Sequence, residues 1–463
     1  MDQSMVSLVE LLGRFRECFS RPESFAVFQP VVAAWILCLR CRTLTEVWQL
    51  TGLGPKMHFD AIYSFFSNAQ WDWDELGVLL CLLILTRLLP SGMVSIAVDD
   101  TLCHKRGKRV AFGGVFLDPV LSTKSHKILR FGLNYVVVAL VLHLPFRRDR
   151  YFAFPVLWRV YRKKGQEGHY KRTQLAARLI SHLAEAIPER SFSLVADSAY
   201  INTAVLSHLP ENVDVIGPLP KKAALYLPPP PKVEGQKGAP RKKGLRLPNP
   251  TQLLEKPELL QELAKQHSEA FAQVSAWNPQ GWSAQEVELT LPKGKKKVRV
   301  QTLHGMLWYH ACKQNPVTVA LIHDPEGEWR DEVLVSTRVG ATAEEMILEY
   351  GKRWSVELAF HDSKQYLGLE DPEVRTPRSV ERAHPTAWFC LSLVLLWYAL
   401  NHERVEKVKR DRPWYKKTVG DTFTDMLGAL RLLLWKERLF GEAGEGEVNQ
   451  EMVEKLLNEM SAV

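Results

Sequence analysis

The sequence predicts an α/β fold, a mixed sheet interrupted by a β-rich insertion and flanked by helical N- and C-terminal regions. Three observations carry that reading. Residues 93–218 alternate strand-like and helix-like patterns, residues 220–340 carry hairpin signals, and both ends of the chain repeat apolar residues at intervals of three and four.

Residues 1–90 are helical by pattern, with breaks at Pro22, Pro30 and Gly52 to Pro55. Within them RTLTEVWQLTGLGPKMHFDAIYSFFS shows short helices around a Gly-containing turn, a pattern shared by helix-turn-helix DNA readers and by any small helical bundle. MVSIAVDD then alternates as a strand ending in Asp99, and VAFGGVFLDPV, NYVVVALVLHL and the region of YFAFPVLW add further strands. Residues 169–187 give a helix, SFSLVADSAY a buried strand ending in Asp197, INTAVLSHL a helix and VDVIGPL a strand.

After Gly217 the pattern stops. Residues 218–250 hold nine prolines and eight Lys or Arg against one acid, Glu234, which predicts a mobile basic loop. VELTLPKGKKKVRVQTLHGMLWYHACK and VTVALIHD read as hairpin strands with Gly294 at the first turn, and EVLVSTRV returns to the core. ATAEEMILEYGKRWSVELAFHDSKQYLG reads as one long helix, residues 385–402 as an apolar helix and 404–417 as a basic turn. The expected segments are thus 1–90 (helical), 91–219 (first part of the core), 220–340 (insertion), 341–380 (second part of the core) and 381–463 (helical).

Composition narrows the class. The 463 residues carry a formal charge of +8 and a pI near 9.0, a bias toward a polyanionic partner. Seven scattered cysteines make no disulfide framework, which points to a reducing cytoplasm, and the lone Cys38/Cys41 pair inside an apolar run reads as core packing. No secretory pattern opens the chain, and the apolar runs at 76–89, 135–146 and 385–400 read as buried elements of a soluble protein.

Three acids stand out by position: Asp99, Asp197 and Glu357, the last on the helix that follows the insertion. Residues at the carboxyl ends of strands line one sheet edge, and three carboxylates gathered there would repel one another without cations between them. Oxygen-only ligation suits Mg²⁺, and two such ions support in-line attack on phosphorus, the chemistry of nucleases and strand transferases. Around Glu357, helical steps of three, four and seven set Tyr350, Arg353, Glu357 and Lys364 on one stripe. Such a stripe is open to two readings, an ordinary ion pair on a solvated helix or a phosphate grip around a carboxylate.

IAVDDTLCHKRGKRV, LVADSAYIN and YGKRWSVELAFHDSKQYLGLE resemble the three acidic blocks of DDE transposases from bacterial insertion sequences. More narrowly they resemble the cut-and-paste branch whose glutamate helix bears a Tyr, Arg, Glu, Lys signature, over residues 90–375. The resemblance implies a ribonuclease-H-like core with an insertion between the second aspartate and the glutamate. It implies that Asp99, Asp197 and Glu357 are catalytic and hold two Mg²⁺ ions, with Mn²⁺ an acceptable substitute, and that Tyr350, Arg353 and Lys364 grip DNA phosphates. Trp329 is the expected aromatic for a flipped base, with Trp282 and Trp308 as rivals. Asp100 rivals Asp99, which is preferred because Thr101 follows two positions on and because it shares a face with Ser95 and Ala97.

His361 lies on the signature face, where a lone histidine is more often structural than a ligand, and His104 to Arg109 form a basic turn suited to DNA backbone or to solvent. The implied partners are double-stranded DNA, both terminal inverted repeats and target, and a second copy in the synaptic complex; the implied location is cytoplasmic and nucleoid-associated. DNA contacts are expected from the N-terminal helices, the loop at 218–250 and the segment 404–417. A silent DNA-binding repressor would not need all three acids with Tyr350, Arg353 and Lys364, and a non-transposing nuclease would not need the signature helix and insertion.

Overall fold

In a computed structural model, described over residues 5–408 and 421–440 apart from 233–236, 273, 275–281, 292–293 and 314, and at 453, 457 and 460, the chain divides into two interleaved units. One comprises Met1–Ser91, Asp100–Tyr170 and Ser355–Val463; the second comprises Gly92–Asp99 and Lys171–Trp354. The described strands are β1 (Val94–His104), β2 (Gly114–Leu117), β3 (Leu129–Leu144), β4 (Arg147–Val160), β5 (Phe192–Ala196), β6 (Val213–Pro218), β7 (Gln285–Leu291), β8 (Gly294–Leu307), β9 (Pro316–His323) and β10 (Glu332–Ser336). The unit boundary falls within β1, after Asp99.

In the second unit the strand order is β1-β5-β6-β10-β9-β8-β7. β1, β5 and β6 run parallel, from Val94 opposite Phe192 to Val98 opposite Ala196 and from Phe192 opposite Val213 to Val195 opposite Ile216. Their inner positions are almost continuously apolar and buried, as parallel strands covered on both faces must be. β10 runs antiparallel to both β6 and β9, so the insertion extends the sheet rather than standing beside it. The last pair of the β7–β8 hairpin is Leu291 opposite Gly294, the glycine expected at its turn.

Two features of the insertion were not expected. Besides the strands β7 to β10 it holds the helices Pro250–Glu255, Leu259–Gln266 and Ser268–Ala272 ahead of its hairpin. The basic stretch is also pinned along part of its length: Leu227 N donates to the Leu245 carbonyl and Leu247 N to that of Leu225, both at 2.9 Å, and Leu225, Leu227 and Leu247 are buried. Three leucines among the prolines and lysines supply the apolar area that average composition conceals.

In the first unit β3 pairs with β2 through Leu129–Gly132 and with β4 through Tyr135–Leu144. The end of β1 meets β3, where Lys105 N donates to the Phe131 carbonyl at 3.0 Å. Gly132 permits the approach, since a Cβ there would lie 2.2 Å from the Cys103 carbonyl oxygen. The helix Thr386–Asn401 is buried nearly all round and packs on β4. The longer stretch Pro377–Asn401 is apolar enough to cross a membrane, but its most apolar window is 94% covered by protein, as a core helix is.

The N-terminal helices, including Pro22–Leu37 and Trp73–Leu88, fold into this same unit: Trp35 Nε1 donates to the Leu367 carbonyl at 2.9 Å and Arg431 Nε to that of Ile36 at 2.8 Å. Cys38 is buried as expected, whereas Cys41 is exposed because the helix ends at Leu37, before it. All seven cysteines are free thiols. The fold is therefore α/β with a mixed parallel and antiparallel sheet, as a ribonuclease-H-like core requires. Most of the basic turn at 404–417 lies outside the described residues.

Candidate active site

Asp99 and Asp197 are neighbours by register. Val98 opposite Ala196 is the last paired position of β1 and β5, adjacent parallel strands about 4.8 Å apart, and the next residue along each is an aspartate; Asp197 lies just past the carboxyl end of β5, whereas β1, expected to end at Asp99, continues through it to His104. Asp197 begins a tight turn in which its Oδ1 accepts the Ala199 amide at 2.9 Å, fixing the carboxylate at the strand tip. Asp99 and Asp100 point to opposite faces of β1. Asp99 meets Arg353, whereas Asp100 belongs to the other unit and accepts the Asn134 amide nitrogen at 2.9 Å.

The expected single helix is two helices, Ala343–Gly351 and Trp354–Leu367. Between them Lys352 N donates to the Glu349 carbonyl and Arg353 N to that of Tyr350, both at 3.1 Å, a tightening to three-residue bonds that breaks the stripe between Tyr350 and Glu357. The break is anchored on β1: Ser95 Oγ donates to Glu349 Oε1 at 2.6 Å and receives the Lys352 ammonium at 2.8 Å, while Lys352 and Glu349 pair directly. Ser95 shares its face with Asp99, and the turn so held brings Arg353 Nη1 to 3.4 Å from Asp99 Oδ2. Burial raises the Tyr350 phenol above its usual range, with Glu332 and Asp197 adding to the effect and Arg353 opposing it, so Tyr350 remains an O–H donor.

Tyr350 also lines an open cleft of about 360 Å³ with Trp329, Asp324, Arg330, Glu332, Ile322 and Ile347. This separates the three tryptophans: Trp282 and Trp308 are core residues, whereas Trp329 is 39% exposed and borders the cleft. The Trp329 loop is built rather than loose. Asp324 accepts the Trp329 amide at 2.7 Å and that of Glu326 at 3.0 Å, and the buried Lys296 ammonium pairs with Asp324 at 3.0 Å and Glu328 at 2.6 Å beneath the Trp329 ring. Burial pushes the Asp324 carboxyl up, but the Trp329 amide and Lys296 outweigh it and bring it to about 2.

Lys296, Asp324 and Glu332 escape a reading of the sequence. Lys296 stands in a run of like charges, Asp324 in an ordinary turn, and Glu332, whose carboxyl burial pushes up, opens a strand without any motif.

Glu357 and Lys364 lie in the first unit, on the helix Trp354–Leu367. Its covered face is Val356, Phe360, Ser363 and Leu367, whereas Trp354 and Leu358 are exposed. Lys364 Nζ donates to the Leu102 carbonyl at 2.6 Å and lies 3.5 Å from Glu370, so it ties the helix to β1. His361 is exposed and sits 3.1 Å from Asp362. Of the basic turn, His104 lies between Asp118 and Glu370, Lys105 donates to the Pro372 carbonyl at 2.9 Å, and Arg106, Lys108 and Arg109 are exposed.

Among the described residues no group of three or more His, Cys, Asp or Glu side chains is gathered as a metal cage. The Asp99 and Asp197 pair does suit a hard divalent cation: both donors are carboxylate oxygens, and the field at Asp99 already holds a guanidinium. Comparison with known proteins bears on this edge. Residues 14–287, more than half of the chain and including Asp99 and Asp197, match the family model described as DDE superfamily endonuclease; the match stops before Glu357. No curated protein matches the chain.

Proposed function

Since the chain belongs to the DDE superfamily endonucleases, we propose that it is a cut-and-paste DNA transposase that binds the terminal inverted repeats of an insertion sequence, cleaves at the repeats and joins the freed 3′ ends to target DNA. The observation that supports the proposal is that Asp99 and Asp197 each follow the last paired position of two adjacent parallel strands, with Arg353 and Tyr350 beside them. In this reading Glu357, four residues beyond Arg353, is the third carboxylate, and Asp99, Asp197 and Glu357 hold two Mg²⁺ ions, with Mn²⁺ able to replace them. The ions supply Lewis acidity for attack of water or a 3′-hydroxyl on phosphorus. Arg353 then leaves Asp99 for a phosphate, Tyr350 donates its hydroxyl to the same strand, Lys364 adds charge, and Trp329 offers its ring to an unstacked base in the cleft. Synapsis of two ends requires at least two copies, acting on DNA in the cytoplasm.

Incubation with labelled terminal-repeat duplex and Mg²⁺ tests the reading: cleavage followed by joining supports it, binding without cleavage points to a repressor, and cleavage without joining points to a nuclease. In the same assay Glu357→Gln should reduce cleavage on the order of 100-fold or more while leaving end binding within about twofold, because it removes a metal ligand and few DNA contacts. Equal loss of both activities would remove Glu357 from the metal set.

A further inference from the structure

The β2–β3 hairpin of the first unit exposes apolar side chains that the fold does not use. Leu117 and Leu129 are its last cross-strand pair, and beyond them residues 118–128 form the tip. Val115 shares the face of Leu117, and Val115, Leu117, Leu129 and Leu121 are all exposed; Val120 is 85% exposed. A contiguous apolar strip of this kind marks an interaction surface.

The tip is a built structure. The Asp118 carboxylate is buried; its Oδ1 accepts the amides of Val120 and Leu121, each at 3.0 Å, and its Oδ2 lies 2.6 Å from His104 Nε2. Ser122 Oγ accepts the Ile128 amide at 2.9 Å, and Thr123 N donates to the His126 carbonyl at 2.8 Å. The backbone is thus fixed so that Val120 and Leu121 face solvent.

Charge identifies the occupant. Residues 106–130 carry six Lys or Arg, all exposed, against one acid, Asp118, which is turned inward. A second copy would set those cations against their own kind, whereas a polyanion meets them favourably. A two-stranded ribbon has the dimensions of a DNA groove, and apolar residues at such a tip can part a base step. We propose that the β2–β3 hairpin is a DNA-bending arm, with Lys124, Lys127 and Arg130 on phosphates and Pro119, Val120 and Leu121 wedged between bases. The inference rests on the chain's acting on duplex DNA, not on its cleaving it.

The test uses the full chain in metal-free buffer with a mixed-sequence duplex carrying 2-aminopurine at pyrimidine–purine steps. Wild-type protein should raise the 2-aminopurine fluorescence. Val120→Ser/Leu121→Ser should abolish that rise with the salt dependence of binding unchanged, and Lys124→Ala/Lys127→Ala should flatten the slope of log K against log salt by about two. Since these positions are exposed, both variants should melt with the wild type; Val120→Phe, a larger wedge, should increase the fluorescence change and provides a second reading. A fluorescence rise that survives the serine pair, or a slope untouched by the alanine pair, overturns the arm. So does a shift from dimer to monomer in the DNA-free serine variant with its fluorescence rise intact. If such a failure occurs while wild-type protein still cleaves terminal-repeat DNA, only the arm is lost; absence of any duplex binding removes the transposase reading as well.

Discussion

Arg353 pairs with Asp99 at 3.4 Å, which sets a guanidinium against one carboxylate of the Asp99 and Asp197 pair. A divalent cation bound at Asp99 would be repelled by this guanidinium, so Arg353→Ala should tighten Mn²⁺ binding to the DNA-free protein by about tenfold, the scale of one partly exposed charge contact. The same change should weaken end binding and flatten its salt slope by about one phosphate. Calorimetric titration and a salt series measure the two effects separately; unchanged Mn²⁺ affinity would mean that the guanidinium does not compete for the carboxylate. That Asp99 and Asp197 follow neighbouring strands was legible because alternation and β-branched residues mark both segments in the sequence. The break at Lys352 and Arg353 was not. A lone Gly351 is tolerated within helices, and the clamp that fixes the break joins Ser95 to Glu349 and Lys352 across more than 250 positions of chain.

At the scale of elements, the loop between β9 and β10 presents Trp329 because Asp324 and Lys296 hold its backbone. With its pKa depressed to about 2 from an ordinary 3.8, the Asp324 carboxylate contributes stability that is fully present above the unfolded value and lost as pH falls through the folded one. The difference in melting temperature between wild type and Asp324→Asn should therefore be largest near neutral pH, shrink as pH is lowered below the ordinary carboxylate range, and vanish near pH 2. A difference independent of pH would assign the effect to packing instead. The carboxylate pairs with one lysine of a run of three, and nothing in the run marks Lys296 as the caged member. Strand positions, by contrast, were legible through β6, β9 and β10, where alternation and β-branched content are strong, while the buried leucines of the basic stretch were hidden by their polar neighbours.

Across the whole molecule, burial has tied the N-terminal helices to residues near the other end of the chain. Phe15 and Phe28 lie 5.2 and 5.7 Å from Phe389 between ring centroids, and Trp73 lies 5.2 Å from Trp158. The same core encloses His384, whose imidazole burial lowers to about 3 from an ordinary 6.5 while Nδ1 bonds the Leu369 carbonyl. The folded state favours its neutral form, so stability should fall by about 1.4 kcal/mol per pH unit below 6.5 from this residue, a slope that His384→Asn should flatten between pH 6.5 and 5 in urea titrations. The N-terminal helices read in sequence as a DNA-binding region with a pattern shared by helix-turn-helix readers and small helical bundles, and short helices around a turn carry no mark of what covers them. Deleting residues 1–90 would strip aromatic contacts whose individual truncation costs about 3–5 kcal/mol, against a net stability of about 5–15 kcal/mol for a domain. The fragment 91–463 should therefore show no cooperative urea transition, and residues 1–90 alone should lack stable helix by circular dichroism and bind duplex DNA only weakly. A folded 1–90 fragment with wild-type end affinity would make this segment an autonomous DNA reader, its packing against the core incidental to recognition.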